Sequence, residues 1–221
     1  MAGAMVGSRA TRRSRTREPS SLRRIFPSRL TSRAALAEPE EVAETYRQAA
    51  VAGLVGATLE DATPGRNKDK PLFDIGEATE RVAAAVEATR KLGFPFMLTA
   101  RAEGFLRGNT DVNDAIKRLQ AYEEAGADVL MAPGLPDLAS VQHVCAAISK
   151  PFNFMAGIPG KSFSVAELEA AGVRRISLAT SLYRAAMGGL VLAAREVKDK
   201  GTFGYVDTSL PSAELAGFML A

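Results

Sequence analysis

Hydrophobic residues follow two alternating patterns along most of the chain. Seven segments carry apolar residues at helical spacing, and five of these are followed by a short apolar run after a Gly or Pro. The predicted helices span 38–52, 74–92, 111–125, 137–149, 164–171, about 181–200 and 211–220, and the predicted strands span 54–60, 94–101, 127–133, 151–156 and 173–179. Strands that alternate with helices predict βαβ units and a parallel sheet.

The predicted strands have one apolar face and one face that becomes polar towards the carboxyl end. In the second strand, Leu98 and Ala100 share one face, whereas Thr99 and Arg101 share the other. An apolar face suits a layer of helices, and a polar carboxyl end suits a functional mouth. This pattern is typical of an α/β fold of the (β/α)8 TIM-barrel type. A doubly wound open sheet also places ligands at strand carboxyl ends and remains the alternative.

Chain length limits how much of a barrel can form. An eight-stranded barrel takes about 250 residues, whereas residues 38–221 supply 184 residues and five predicted strands. The sequence therefore predicts an incomplete barrel in which the first two or three βα units are missing. No feature indicates a second folded domain.

Charge is distributed unevenly between the first 37 residues and the rest. Residues 1–37 hold nine Arg and one acid, a net charge of +8, whereas residues 38–221 carry −5. This Arg- and Ser-rich segment lacks an apolar period, which predicts disorder. Its composition also fits an organellar transit peptide, and a third possibility is that it is not native coding sequence. Since the predicted folded body is not basic, we expect no nucleic-acid partner.

The remaining composition excludes several classes of site. No run of about 18 uncharged apolar residues exists, so we expect no membrane span and a cytoplasmic location, or an organellar one if residues 1–37 are a transit peptide. The only Cys is Cys145 and the only His is His143, which excludes intrachain disulfides and Cys/His zinc sites. On helix 137–149, Cys145 falls on the apolar stripe and His143 off it, so we expect a buried thiol and a solvated imidazole.

Charged side chains end the first two predicted strands. Glu60 and Asp61 follow the first strand, where a carboxylate can hold Mg²⁺ directly or through water; the alternative is a helix cap or a loop ion pair. Arg101 ends the second strand on the inner face, where a guanidinium can bind a carboxylate or phosphonate through two hydrogen bonds. The alternative for Arg101 is a structural salt bridge with Glu60 or Glu103.

Two further features lie near the fourth strand. Asn153 is on its inner face, where its amide can donate to a substrate oxygen or make a supporting hydrogen bond. Residues 157–162 contain the Gly-Lys-Ser of a phosphate loop, but the position that a full motif fills with Gly is Met155. A loop that closes over the mouth is therefore favoured over a nucleotide site.

Four short motifs in order and spacing resemble the isocitrate lyase/phosphoenolpyruvate mutase superfamily, in particular its small bacterial mutase-like branch. They are residues 59–62 (Leu-Glu-Asp-Ala), 99–103 (Thr-Ala-Arg-Ala-Glu), 122–128 (Tyr-Glu-Glu-Ala-Gly-Ala-Asp) and 132–134 (Ala-Pro-Gly), and residues 200–203 (Lys-Gly-Thr-Phe) also fit. The resemblance runs from about residue 38 to the C-terminus.

This resemblance implies a (β/α)8 barrel whose last helix exchanges between the subunits of a dimer or tetramer. It implies Mg²⁺ at the barrel mouth and cleavage of a C–C or C–P bond in a 2-oxo or 2-hydroxy carboxylate through an enolate. By position, Glu60 resembles the outer metal carboxylate, and Arg101 resembles the substrate-binding and catalytic Arg. Glu103 and Asn153 are expected to bind the small carboxylate substrate beside it.

The chain also departs from the family pattern. The family's first three strands carry a substrate-binding loop and an Asp-rich metal motif that would precede residue 38, and residues 1–37 match neither. This departure favours impaired activity over full activity. The alternatives to a Mg²⁺-dependent lyase or mutase are therefore an inactive, truncated family member and a module for binding or oligomerisation.

Overall fold

A computed structural model describes residues 38–64 and 69–219. The segment predicted to be disordered, 1–37, lies outside them. The helices are α1 (Pro39–Val51), α2 (Ile75–Arg90), α3 (Val112–Glu124), α4 (Leu138–Ala147), α5 (Val165–Ala170), α6 (Ser181–Lys200) and α7 (Ser212–Met219). The strands are β1 (Gly56–Glu60), β2 (Met97–Arg101), β3 (Val129–Met131), β4 (Asn153–Met155) and β5 (Arg175–Ser177), and 3₁₀ turns span Gly104–Leu106 and Gly204–Thr208.

The strands are parallel and follow one another in chain order. Strand β1 pairs with β2 and β2 with β3. A bridge between Leu130 and Phe152 continues to β4, which pairs with β5. Within the described residues the strand order never reverses. A doubly wound sheet requires a reversal, so the order supports a barrel wall over that alternative.

The apolar strand faces form the core with the helices, as predicted. Leu98 and Ala100 of β2 are fully buried, and Phe152 and Phe154, before and within β4, are nearly so. The opposite face is open at β1 and at the start of β2, where Met97 is 47% exposed, whereas Thr99, Met131 and Asn153 on that face are buried. On this face a cavity of about 580 Å³ reaches from β1 and β2 to Arg175 on β5. The wall therefore has helices on one side and a partly accessible interior on the other.

Side-chain caps fix where several helices begin. A reciprocal capping box joins Asp74 and Glu77 at the start of α2, and a second joins Ser164 and Glu167 at the start of α5. Each supplies partners for backbone N–H groups that the first helical turn leaves free. These caps place the helices directly after the loops that leave the strand carboxyl ends.

The C-terminal arm, residues 181–218, packs little against the rest of the fold. None of its side chains is buried, and Leu182, Leu190 and Phe203 are each more than 60% exposed. The arm therefore presents an apolar surface that the rest of the described structure leaves uncovered. Among the described helices, none has the length and apolarity needed to cross a membrane.

Candidate active site at the strand carboxyl ends

Three predicted site residues meet where β1 and β2 end. Glu60 is the register partner of Arg101, and Arg101 Nη1 lies 3.1 Å from Glu60 Oε1. Arg101 also approaches Glu103 Oε1, through Nη2 at 2.6 Å and through Nε at 2.9 Å. We call these three residues the acid–arginine row. The side chains of Arg101 and Glu60 are 17% and 34% exposed, so a ligand can reach the row.

The row contains the salt bridges that the sequence offered as the alternative for Arg101. These contacts do not occupy all the hydrogen-bond donors of the guanidinium, which carries five N–H groups in a planar fork. Three contacts engage at most three donors, so two remain for an incoming carboxylate. Burial raises the pKa of Glu103 above its usual value, although the adjacent Arg101 charge opposes the rise.

Asp61 faces away from the row despite being next to Glu60 in sequence. Its buried carboxylate accepts three hydrogen bonds: Oδ1 from the Glu103 backbone N–H at 2.8 Å, and Oδ2 from the Tyr122 hydroxyl at 2.7 Å and Arg118 Nη1 at 3.1 Å. Burial raises the pKa of Asp61, and these donors act in the opposite direction. For Asp61 the structure therefore shows the ion-pair alternative, not a metal ligand.

Tyr122 and Arg118 are supporting residues that sequence reasoning missed. They lie 61 and 57 positions from Asp61 in the chain, so no local pattern connects them to it. Tyr122 is the first residue of the 122–128 motif in the family resemblance. That position was the signal in the sequence that could have indicated its role. Arg81 of helix α2 also supports the end of β1, because it donates a hydrogen bond to the Glu60 backbone carbonyl at 2.9 Å.

Asn153 lies two strands from Arg101 on the same wall. Its Nδ2 donates to Met131 Sδ and to Ser177 Oγ, both at 3.1 Å, and Met131 is the register partner of Arg101. Asn153 is only 3% exposed, and its Oδ1 has no hydrogen-bond partner in the described structure. A buried acceptor without a partner is costly and indicates a place for a ligand or ordered water.

The Gly-Lys-Ser segment behaves as a loop at the mouth. Lys161 Nζ donates to the Gly134 carbonyl at 3.0 Å, which ties this loop to the one that follows β3. The lysine is therefore engaged by backbone and does not reach into an open phosphate cradle. This contact agrees with the loop interpretation of residues 157–162.

His143 and Cys145 lie away from the acid–arginine row, on α4. His143 is exposed, as predicted. Cys145 is half-buried against the core, and burial raises the pKa of its thiol to about 11. Neither side chain belongs to the candidate site.

The metal-ligating capacity of this site is limited. No group of three or more His, Cys, Asp or Glu side chains that could hold a metal ion occurs within 38–64 and 69–219. Glu60 is the accessible carboxylate at this strand end, since Glu103 in the row and Asp61 behind it are buried. Magnesium commonly binds one or two protein carboxylates and completes its shell with substrate oxygens and water. Glu60 fits that pattern as a single protein ligand.

Comparison with known proteins identifies the family of the chain. Residues 34–198 match the family model described as phosphoenolpyruvate phosphomutase. The probable 2-methylisocitrate lyase 1 of Corynebacterium glutamicum is 30% identical over 173 residues, which cover 75% of this chain and 55% of that protein. The chain thus spans little more than half the length of this curated relative.

Solved structures agree with that match. A Burkholderia cenocepacia J2315 protein assigned as a lyase or mutase superposes with a TM-score of 0.79 at 43% identity, over 84% of this chain and 66% of that chain. Oxaloacetate acetylhydrolase, in complex with its product oxalate, superposes with a TM-score of 0.69 at 26% identity, over 80% of this chain and 62% of that chain. Helices and parallel strands of this chain therefore share the α/β fold of these proteins.

Proposed function

The chain belongs to the phosphoenolpyruvate phosphomutase family, and on that premise we propose that its acid–arginine row binds a 2-oxo or 2-hydroxy carboxylate together with Mg²⁺. The reaction class is cleavage of a C–C or C–P bond that leaves an enolate. The observation that carries the proposal is Arg101, a half-buried guanidinium with free donors at the carboxyl ends of parallel strands. In barrel enzymes this end of the strands holds the active site.

Arg101 is the proposed catalytic and substrate-binding residue. Its free N–H donors would hold the substrate carboxylate and then stabilise the negative charge that develops on the enolate. Glu103, which contacts Nε and Nη2, keeps the guanidinium plane fixed. Because Glu103 is 3% exposed, we propose that it contributes to substrate binding through Arg101.

Asn153 is proposed to contact the same substrate from two strands further along the wall. Its unpaired Oδ1 can accept a hydrogen bond from a substrate hydroxyl or from a water that the substrate holds. This contact would favour a ligand with a donor at that side. Its distance from Arg101, two strands along the wall, suits a substrate longer than a single carboxylate.

Glu60 is the proposed protein ligand for Mg²⁺. Its partly exposed carboxylate is adjacent to the Arg101 donors, so an ion held there would contact the same substrate as the guanidinium. Magnesium, when bound, supplies Lewis-acid polarisation of the substrate oxo group. Glu60 also limits the mobility of Arg101 through their 3.1 Å contact.

The five-stranded wall is proposed to be part of a (β/α)8 barrel. Sequential parallel strands and a partly open inner face support this assignment. The strands β1 and β5 each have one edge without a strand partner in the described part of the chain. An open interior exposes the row to water, which weakens electrostatic stabilisation of an enolate.

The second candidate function is a binding or oligomerisation module without activity of its own. The C-terminal arm favours it, because this 38-residue segment carries exposed apolar side chains and no buried ones. We propose that a dimer or tetramer covers the arm by exchanging the C-terminal helix. The two functions are compatible, since a self-association surface can coexist with a carboxylate site.

An assay of C–C bond cleavage tests the first function. The full chain is mixed with oxaloacetate, and separately with 2-methylisocitrate, in Mg²⁺ or in EDTA, and substrate loss is followed by proton NMR. Because free Mg²⁺ promotes oxaloacetate decarboxylation unaided, Arg101→Ala at the same Mg²⁺ concentration is the control. We expect Mg²⁺-dependent turnover that falls at least about 100-fold in the variant. Equal rates for wild type, variant and protein-free buffer would exclude cleavage of these two substrates and favour the module.

A further inference from the structure

We propose that Asp61 is the positioning residue of the acid–arginine row: from the outer side of the wall it holds the turn that carries Glu103, and through Glu103 it orients Arg101. The inference rests on the proposed function of that row. It assigns a role to a carboxylate that the mechanism does not otherwise use.

Asp61 forms a hydrogen bond with each end of the 101–103 turn. Its backbone N–H donates to the Arg101 carbonyl at 3.2 Å, and its side-chain Oδ1 accepts the Glu103 N–H at 2.8 Å. Two contacts from one residue fix the path of the chain between the guanidinium and its partner carboxylate. The Glu103 side chain then turns back and binds Arg101 through Nε and Nη2.

The two oxygens of Asp61 face different groups. Oδ1 contacts the active-site turn, whereas Oδ2 accepts from Tyr122 and Arg118 on helix α3. Arg118 is itself held by Asp114 at 2.8 Å and donates to the Phe73 carbonyl at 2.9 Å. Helix α3 therefore anchors Asp61, and Asp61 transmits that rigid position to the row.

Because the two Asp61 oxygens bind different groups, a matched pair of variants can test them separately. Asp61→Asn keeps the shape of the side chain but replaces one acceptor with an NH₂ group. Either that group meets the Glu103 N–H, or it meets the Arg118 guanidinium, which has no acceptor, so one donor must face another donor. Tyr122→Phe removes one hydrogen bond from Oδ2 and leaves the Oδ1 contact with Glu103 intact.

Two measurements on the full-length chain separate positioning from general stability. The first is oxalate affinity in Mg²⁺ by calorimetry, with Tm measured in parallel. The second is the hydrogen-exchange rate of the Arg101 Nε–H in ¹⁵N-arginine-labelled protein without ligand. We expect both variants to lower Tm, but only Asp61→Asn to weaken oxalate binding about tenfold and to accelerate Nε–H exchange by a similar factor.

The outcomes decide the inference independently of the proposed function. If both variants change affinity and exchange in proportion to Tm, or if Asp61→Asn changes neither, Asp61 has no positioning role. If wild type binds no oxalate, the proposed function fails, and Nε–H exchange still decides whether Asp61 orients Arg101. Should Asp61→Asn not fold, the wild-type Glu103 amide provides the test: the inference requires exchange as slow as in β2, and rapid exchange overturns it.

Discussion

Single residues at the end of β1 show how one peptide step changes the role of a carboxylate. Glu60 faces the open mouth and is 34% exposed on its side chain, whereas the next residue, Asp61, is buried among donors on the helix side. The reason is strand geometry, since successive side chains point to opposite faces. Two adjacent acids can therefore serve ligand binding and support without competing for the same partners.

Asn153 provides a prediction at this scale, because its Oδ1 is buried without a partner. Asn153→Val removes that acceptor and places a β-branched side chain in β4. We expect the free energy of unfolding to rise by about 1 kcal/mol, while affinity for a 2-hydroxy carboxylate such as malate, whose hydroxyl can donate to Oδ1, decreases. Chemical denaturation and calorimetry on the same samples measure both. A large loss of stability would show that the amide is a structural requirement and not a ligand contact.

Cys145 provides a prediction about pH. Burial raises its thiol pKa to about 11 from a model-compound value of 9.0. At pH 8 the native protein should therefore react with iodoacetamide about 100-fold more slowly than the urea-unfolded chain, since the thiolate is the reactive form. Because the folded pKa is the higher one, this group's stabilising contribution is complete below about pH 9 and declines between about pH 9 and 11. Equal alkylation rates in the two states would contradict this account.

What the sequence predicted at the residue scale follows from strand ends and periodicity. Glu60 and Arg101 were each predicted at the end of a strand, and the register places these two strand ends side by side. The support from Tyr122 and Arg118 could not be predicted, since it depends on how α3 packs across the sheet. The inner-face position of Asn153 was predictable, but its unpaired oxygen was not.

Secondary-structure elements were predicted in their correct order, with strand ends that differ. The second strand was expected from residue 94 and begins at Met97, and the third was expected over 127–133 and spans Val129–Met131. Apolar runs indicate where a chain is buried, whereas a strand exists only where a neighbour supplies hydrogen bonds. The apolar runs in the sequence are therefore longer than the hydrogen-bonded strands of the structure.

Close pairing of β1 with β2 gives a prediction at the element scale. A Cβ added at Gly56 would lie 2.8 Å from the Met97 carbonyl oxygen, which is backbone and cannot rotate away. We expect Gly56→Ala to lower the free energy of unfolding by at least about 2 kcal/mol. Gly76→Ala is the matched control, because its added Cβ would meet no atom within 4 Å beyond its chain neighbours and the backbone of its own helix. In helix α2 that change should stabilise by about 0.5 kcal/mol.

Denaturant titration of both glycine variants decides whether β1 and β2 are packed as described. A neutral Gly56→Ala would mean that the two strands are further apart than the register implies. A destabilising Gly76→Ala would show that α2 is under constraints other than its own backbone.

At the scale of the whole molecule, two surfaces lack a full cover in the described structure: the C-terminal arm and the partly open inner face. The chain spans about 55% of the curated 2-methylisocitrate lyase relative, and the arm adds an exposed apolar helix to an open wall. Burial of such surface on association is favourable by about 25 cal/mol per Å². The arm is therefore the part of the fold best suited to self-association.

Oligomeric mass is the corresponding prediction. We expect wild type to run as a dimer or tetramer in light scattering coupled to size exclusion. Leu182→Glu combined with Leu190→Glu should shift it towards monomer, because both exposed side chains would bring charge into the covered surface. Lys198→Glu, also exposed on α6, controls for a general effect of acidic charge. A monomeric wild type would contradict helix exchange and would not bear on the assignment of the carboxylate site.

The most direct test of the account is a calorimetric titration of oxalate into the full chain, with Mg²⁺ and with EDTA. Three proteins are compared: wild type, Arg101→Lys and Arg90→Lys, the last because Arg90 also pairs with an acid, Asp128, at 2.6 Å but lies outside the row. A lysine keeps the charge but loses the planar fork. We predict Mg²⁺-dependent binding to wild type and Arg90→Lys, and at least about tenfold weaker binding to Arg101→Lys. Equal affinity in all three, or no binding to wild type, would contradict the assignment of the acid–arginine row as a carboxylate site.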